Sequence, residues 1–183
     1  CTMSELRDQI TQGQNALKRL TAKIPGFRGY IERNNRRDAD ELLRDTLATQ
    51  GTALWDRLND AQRQWVQEGQ LQTAGALEGA ARRWRTWVDR VRHAASGYAG
   101  WFDAVQVLEP QLDQLYQFDL KLFDTVDQAR GQAEALDGLK TDEERRGAAD
   151  ALDRLAREAL ETLDERTHLL SAAVIQADRK HKA

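Results

Sequence analysis

The stretch LEGAARRWRTWVDRVRHAASGYAGWF, residues 77–102, holds three of the five tryptophans of the chain. On a helix that turns about 100° per residue, its apolar side chains form one broad stripe and its arginines fall outside that stripe. The stripe comprises Leu77, Ala80, Ala81, Trp84, Trp87, Val88, Val91 and Ala95. Because a buried tryptophan hides roughly 150–250 Å², we expect Trp84 and Trp87 to anchor a core while the arginines stay in water.

The composition around this stretch is that of a helical protein. The chain has 183 residues, two prolines, 31% charged residues and a net charge of −3. This length and composition predict a single helical-bundle domain, 1–183. So small a net charge does not steer the whole molecule to nucleic acid or to anionic lipid, and any such role requires a local patch.

Cysteine usage and hydropathy bear on the cellular compartment of the protein. Its one cysteine, Cys1, excludes an internal disulfide. No apolar run reaches the ~18 residues of a membrane span. We expect a cytoplasmic protein, and the alternative is a lipoprotein anchored through Cys1.

Periodicity and helix-end signals predict the fold. They indicate an all-α antiparallel bundle of about five helices, four of them long, with no sheet. Asn35 is a good N-cap, Pro110 suits a first turn, and Thr141 with Glu144 has the spacing of a capping box. Short links make sequential helices antiparallel neighbours. The predicted helices are 4–24, 36–68, 70–95, 110–136 and 142–177.

The first predicted helix carries a heptad pattern. Its apolar positions are spaced by four and three residues, at Leu6, Ile10, Gly13, Leu17, Leu20 and Ile24. The pattern is typical of a coiled coil with another chain or of a core-facing helix in the same chain, and we favour the second. Pro25 ends the helix, because the residue before a proline avoids helical geometry.

Two further patterns indicate surfaces where helices meet. Trp55 and Val66 lie to one side of the main stripe of helix 36–68, which indicates contact with a second neighbour or an interface. Gly75 and Gly79 lie on the outer side of the next helix, where a helix crossing would explain two costly glycines.

Asp119 is the clear break in the hydrophobic pattern, in the middle of an apolar stripe. A buried carboxylate must find hydrogen-bond donors or stay protonated. Arg166 points into the stripe of the following helix, although counting from the intervening turn places it about 9 Å further along the axis. Asp119 and Arg166 are therefore the candidate polar core site, and a structural role is favoured over a functional one.

Two sets of arginines are candidate anion sites. The outer face of helix 70–95 would offer an acidic partner Arg82, Arg83, Arg85, Arg90 and Arg92. The simpler interpretation is a solvated face bridged to the acids of helix 142–177. In the predicted loop 25–35, Arg28 and Arg33 could hold a phosphate beside the next helix, or the loop is a packed connector, which we favour.

The sequence shows no nucleophile–base pair, and no cofactor or metal is predicted. We therefore expect a non-enzymatic helical module for protein interaction or oligomerisation. One alternative is an accessory protein that binds nucleic acid through the arginine face. Another is a ligand carrier or enzyme with a buried polar pocket around Asp119.

Overall fold

The structure is a computed structural model that describes residues 3–32, 36–94 and 109–181, with side chains at 11–29, 31, 37–94 and 112–172. Of the described residues 94% are helical and none lies in a strand. The predicted all-α bundle without a sheet is confirmed for this part of the chain. Its helices are α1 Met3–Lys23, α2 Phe27–Glu32, α3 Arg36–Gln67, α4 Leu71–His93, α5 Glu109–Glu134 and α6 Asp142–His181, with a 3₁₀ turn at Ala135–Gly138.

The chain divides into two compact units. Unit 1 comprises Cys1–Thr46, His93–Leu122 and Thr162–Ala183, and unit 2 comprises Leu47–Arg92 and Phe123–Glu161. The expectation of a single domain stays a prediction. None of the described helices is both long and apolar enough to cross a membrane.

The core of unit 2 is built on the two tryptophans of α4. Trp84 and Trp87 are both 0% exposed, and their rings meet edge to face with centroids 5.6 Å apart. The indole N–H of Trp84 donates to the carbonyl oxygen of Leu152 at 3.2 Å, which satisfies the polar end of a buried ring. The arginines nearby remain in water, as expected, with Arg82 76% exposed at its side chain.

A glycine turn joins α3 to α4 within unit 2. Gly69 has a φ of +79°, the left-handed conformation that glycine adopts without strain. Its N–H donates to the carbonyl oxygen of Val66 at 3.0 Å, and the N–H of Gln70 donates to that of Trp65 at 2.8 Å. These two bonds form a Schellman motif, which satisfies the last carbonyls of α3 and fixes the direction in which α4 leaves.

In unit 1, the segment after α1 corrects the prediction of a loop at 25–35. Pro25 and Gly26 form a tight turn in which Gly26 has a φ of +83° and the N–H of Phe27 donates to Ile24. The short helix α2 begins at once, because Pro25 and Gly26 complete the reversal that a longer loop was expected to make. Phe27 is 1% exposed, whereas Pro25 and Arg28 are exposed. The choice between a packed connector and a phosphate site stays a prediction.

The heptad face of α1 packs on its own chain. Gly13, Leu20 and Ile24 are buried, while Leu17 is half-buried. A Cβ added at Gly13 would collide with the side chain of Asp113 on α5. The core-facing interpretation therefore holds for this part of α1, and the side chains of Leu6 and Ile10 lie outside the described residues.

The start of α6 has the predicted capping box. Thr141 Oγ1 accepts from the N–H of Glu144 at 3.2 Å, and Glu144 Oε2 accepts from the N–H of Thr141 at 2.9 Å. These bonds satisfy donors that the first helical turn leaves unpaired. The backbone N–H groups of Thr141 and Lys140 both donate to the Glu144 carboxylate and hold its pKa below the usual value.

Candidate functional site

A cluster of four charged side chains lies inside unit 1. Arg166 on α6 donates through Nε to Asp119 Oδ1 on α5 at 2.6 Å. It also donates through Nη2 to Asp40 Oδ1 on α3 at 2.5 Å. Arg44, one turn after Asp40, donates through Nε to Asp40 Oδ2 at 2.8 Å. We call Asp40, Arg44, Asp119 and Arg166 the Arg166 cluster.

The structure thus brings together the two residues of the candidate polar core site, Asp119 and Arg166. The length of the arginine side chain covers the axial offset that counting residues gave. Asp40 and Arg44 were not predicted to belong to this site, because the helix dipole already accounts for acids at the start of α3. The apolar stripe of Leu43 and Leu47, extended back by one helical turn, reaches Ala39 and Asp40. This periodicity is the sequence signal that could have placed Asp40 in the core.

Burial makes the Arg166 cluster energetically demanding. Asp119 and Arg166 are each 2% exposed at the side chain, and the side chains of Asp40 and Arg44 are 8% and 11% exposed. Each ion loses its hydration, and the effective penalty is several kcal/mol per ion unless hydrogen bonds and opposite charges offset it. Two carboxylates against two guanidiniums balance the formal charge, so neutrality can be kept without protonation.

The pKa values of the two carboxyls in the cluster are shifted in opposite directions. Burial raises the pKa of Asp119 to about 6, against the attraction of Arg166. Burial acts in the same sense on Asp40, but Arg166 and Arg44 together hold its pKa below the usual value. The difference arises because Asp40 has a second arginine within hydrogen-bond distance.

Arg166 remains a cation throughout the physiological range. Burial alone would lower its pKa, but the charges of Asp119 and Asp40 outweigh burial and raise it. A guanidinium presents several N–H donors in a planar fork, which is the geometry needed to bond carboxylates from two helices. The side chain therefore ties α3, α5 and α6 together within unit 1.

The space beside this cluster is small. A cavity of about 20 Å³ adjoins the two carboxyls. That volume is room for about one water molecule, whereas pockets for metabolites measure about 300–1,000 Å³. The lining residues are Phe27, Ala39, Asp40, Leu43, Leu112, Leu115, Tyr116 and Asp119. Within the described part of unit 1, the arrangement can fix the register of three helices and hold a proton on Asp119, but it has no room for a metabolite.

The arginine face of α4 makes contacts within unit 2. Arg83 pairs with Asp153 on α6 at 2.5 Å, and Arg92 donates to the Thr52 hydroxyl at 2.9 Å. Arg85 pairs with Asp89 at 3.2 Å.

The guanidinium of Arg85 also lies 4.8 Å from the centre of the Trp55 ring, which is a cation–π distance. Arg82 has a looser contact with Glu78 at 3.8 Å, and Arg90 is half-buried. Arg83 makes the predicted bridge to an acid of α6. The other contacts named here run to Thr52 and Trp55 on α3 or to acids of α4 itself.

The candidate loop site is described only in part. Arg28 is exposed on α2, and Arg33 lies outside the described residues. Within the described ranges, no group of three or more His, Cys, Asp or Glu side chains is placed to hold a metal ion.

An apolar surface lies at the turn between α3 and α4. Val66 is 47% exposed and Leu71 is 67% exposed, and they are the large hydrophobic residues exposed among the described side chains. We call Val66 and Leu71 the exposed apolar pair. Trp55 stands eleven residues before Val66, which places it on the same side of α3, and it is half-buried.

The outer face of α4 continues from Leu71. A Cβ added at Gly75 or Gly79 would meet no other atom within 4 Å. A glycine inside a helix costs roughly 0.5–1 kcal/mol relative to alanine, and no close contact with the described residues explains either glycine. We call Leu71, Gly75, Gly79 and Arg82 the α4 outer face.

No protein-family model, curated protein or solved structure matches this chain. Function therefore has to be inferred from the residues and their geometry.

Proposed function

We propose that this chain is a non-enzymatic module that binds protein through the exposed apolar pair of unit 2. The supporting observation is that Val66 and Leu71 are 47% and 67% exposed on either side of one short turn. Single exposed hydrophobic residues are common on protein surfaces. Two on either side of one turn are candidates for a surface that a partner covers, because burying them would contribute to binding.

The turn that carries the pair is fixed before any partner binds. The bonds of Gly69 and Gln70 to the end of α3 hold the backbone between Val66 and Leu71. A rigid surface loses little conformational entropy on association, so more of the apolar contact energy appears as affinity. Complete burial of a valine or leucine side chain contributes roughly 1.5–3 kcal/mol.

The other two hypotheses have less support. Nucleic-acid binding needs cations that are free to contact phosphates, but Arg83, Arg85 and Arg92 contact groups of unit 2. A ligand carrier or enzyme needs space for its substrate, and the cavity beside Asp119 measures about 20 Å³.

The test compares the wild type with the double variant Val66→Ser/Leu71→Ser. Both side chains are exposed, so the variant is expected to keep its circular dichroism spectrum and its unfolding midpoint within a few degrees. Immobilised wild-type chain should retain a protein partner, either another protein or a second copy, that the double variant retains at less than a tenth of that level.

Ala53→Ser is the matched control, because Ala53 is exposed on α3 and its position in the helical repeat lies away from Val66. The control should bind as the wild type does. Equal retention of every partner by the wild type and the double variant would count against the proposal.

A further inference from the structure

We infer that the cavity beside Asp119 is a binding site for a single water molecule, which hydrogen-bonds the carboxyl oxygen that does not bond Arg166. This site is independent of the proposed function, because it lies inside unit 1 and not on the surface of unit 2. Two separate observations point to it. One is a space of the right size, and the other is a buried polar group in the wall of that space.

The size of the cavity matches one water molecule. Its volume is about 20 Å³, and a bound water needs at least about 10–15 Å³. Apolar side chains from three helices line it, among them Phe27 on α2, Leu43 on α3 and Leu115 on α5. Because a cavity with a purely apolar wall stays dry, the polar groups in the wall decide whether water enters.

Asp119 is the main polar group in the wall. Its side chain is 2% exposed, and its Oδ1 accepts from Arg166 Nε at 2.6 Å. Among the described side chains, Arg166 is the donor to this carboxyl, so Oδ2 is the oxygen that remains for the cavity. A buried carboxylate oxygen without a donor is costly, and a water in the cavity supplies that donor.

The wall also offers the further partners that a buried water needs, which number two to four in all. Asp40 lines the cavity, and each oxygen of a carboxylate can accept more than one hydrogen bond. Tyr116 lines it as well, and a tyrosine hydroxyl both donates and accepts. Together with Asp119, these residues provide a water with enough polar neighbours.

The charges around the cavity favour a neutral ligand over an ion. The carboxylates are those of Asp119 on α5 and Asp40 on α3. The guanidiniums that bond them belong to Arg166 on α6 and Arg44 on α3, so the formal charges already balance. A metal cation would be repelled by both arginines and prefers about six oxygen ligands, which this wall does not offer among its described residues.

A water can serve both protonation states of Asp119. It donates to Oδ2 when the carboxyl is ionised, and it accepts the acid proton when the carboxyl is protonated. Burial raises the pKa of this carboxyl to about 6, so both states are populated near that pH. Asp119 can therefore gain or lose its proton while its bond to Arg166 and the packing of α3, α5 and α6 around it are kept.

The decisive experiment fills the cavity and follows the titration of Asp119. Ala39 lines the cavity and is 3% exposed, so Ala39→Val places methyl groups in the space of the water. Carbon-13 NMR of the Asp119 carboxyl in the full chain, titrated from about pH 4 to about pH 8, gives its pKa. The acid dissociation constant of Asp119 should fall at least about threefold, because the ionised form loses a donor. An unchanged pKa in Ala39→Val would overturn the inference.

Ala53→Val is the matched control, because Ala53 is exposed on the same helix and valine has a similar intrinsic cost there. It should leave the pKa of Asp119 as it is in the wild type. At about pH 8 the unfolding midpoint of Ala39→Val should lie below that of Ala53→Val. A dry cavity would instead gain contacts from the added methyl groups, so a higher midpoint for Ala39→Val would count against the water.

A high-resolution crystal structure of the wild-type chain is a second measurement, which requires no variant to fold. Crystals at about pH 5 and about pH 8 should each show one density peak in the cavity, about 2.6–3.2 Å from Asp119 Oδ2. An empty cavity at either pH would contradict the inference. A peak with about six oxygen ligands would also contradict it, because that coordination belongs to a metal cation.

Discussion

Arg166 shows how one side chain can decide the packing of several helices. Its planar guanidinium bonds Asp119 at 2.6 Å and Asp40 at 2.5 Å, so a shift of α6 by one turn against α3 or α5 would break both pairs. Burying a charge without partners costs far more free energy than misplacing an apolar side chain such as leucine within the core. We interpret the cluster as a device that fixes register, which is the best-attested use of buried ionic groups.

At the residue scale, Arg166→Met should destabilise the protein by about 3–5 kcal/mol, because it leaves two buried carboxyls without their shared cation. Urea unfolding followed by circular dichroism at pH 7 measures this loss. Arg166→Lys keeps the charge but lacks the planar fork, so it should recover part of the stability and not all of it.

The control for this prediction is Arg157→Met. Arg157 pairs with Asp153 four residues earlier and is 56% exposed at its side chain, so its loss should change the free energy of unfolding by less than about 1 kcal/mol. A similar loss for Arg157→Met and Arg166→Met would show that burial does not set the energy of these pairs.

At the scale of helices, the approach of α3 to α4 in unit 2 depends on a glycine. A Cβ added at Gly51 would lie 2.6 Å from Cζ3 of Trp87 and 2.8 Å from Cγ2 of Val88. Both neighbours belong to the buried stripe of α4, so neither can move into solvent. Gly51 therefore sets how closely the tryptophan stripe packs on α3.

We expect Gly51→Ala to destabilise the protein by about 1–3 kcal/mol, because the added methyl group overpacks a filled core. This should appear as a lower midpoint in urea, with an unchanged dependence on denaturant concentration. The intrinsic helix preference of alanine acts in the opposite direction. The sign of the net change in the free energy of unfolding therefore tests whether the packing dominates.

Gly131→Ala provides the comparison, since Gly131 is exposed on α5 and its Cβ position is open. That variant should be more stable than the wild type by roughly 0.5–1 kcal/mol. A stabilising effect at both positions would mean that α3 and α4 have room to adjust.

At the scale of the whole molecule, the buried carboxyls couple stability to pH. Burial raises the pKa of Asp119 from 3.8 to about 6, so the folded state binds more protons than the unfolded state between these values. The stability contributed by this group is complete below about pH 4 and is lost as pH rises through about 6. Asp40 has a lowered pKa, so its contribution is lost only as pH falls below about 4.

The pH range in which Asp119 changes the stability does not overlap with the range in which Asp40 does. The effect of Asp119 can therefore be measured separately. We expect the free energy of unfolding of the wild type, taken relative to Asp119→Asn, to fall by about 2 kcal/mol between pH 4 and pH 7. Urea titrations of both proteins at several pH values measure this difference, and the asparagine variant is its own control because it cannot ionise. A difference that grows with pH would show that Arg166 lowers the pKa of Asp119.

Several features of this protein follow from local sequence. Helical periodicity placed Trp84 and Trp87 in the core and the arginines of α4 in water, because side-chain direction repeats with the helix. The capping box at Thr141 and Glu144 was readable because its bonds join residues three apart. The buried position of Asp119 was readable as a polar residue within an apolar stripe.

Only the tertiary structure decided which partners these residues meet. Asp40 bonds Arg166 across 126 positions of sequence, and no local pattern specifies such a contact. The short helix α2 also escaped prediction. The physical reason is that helix formation depends on neighbours within a few residues, whereas ion pairs, cavities and unit boundaries depend on which faces of distant helices exclude water from each other.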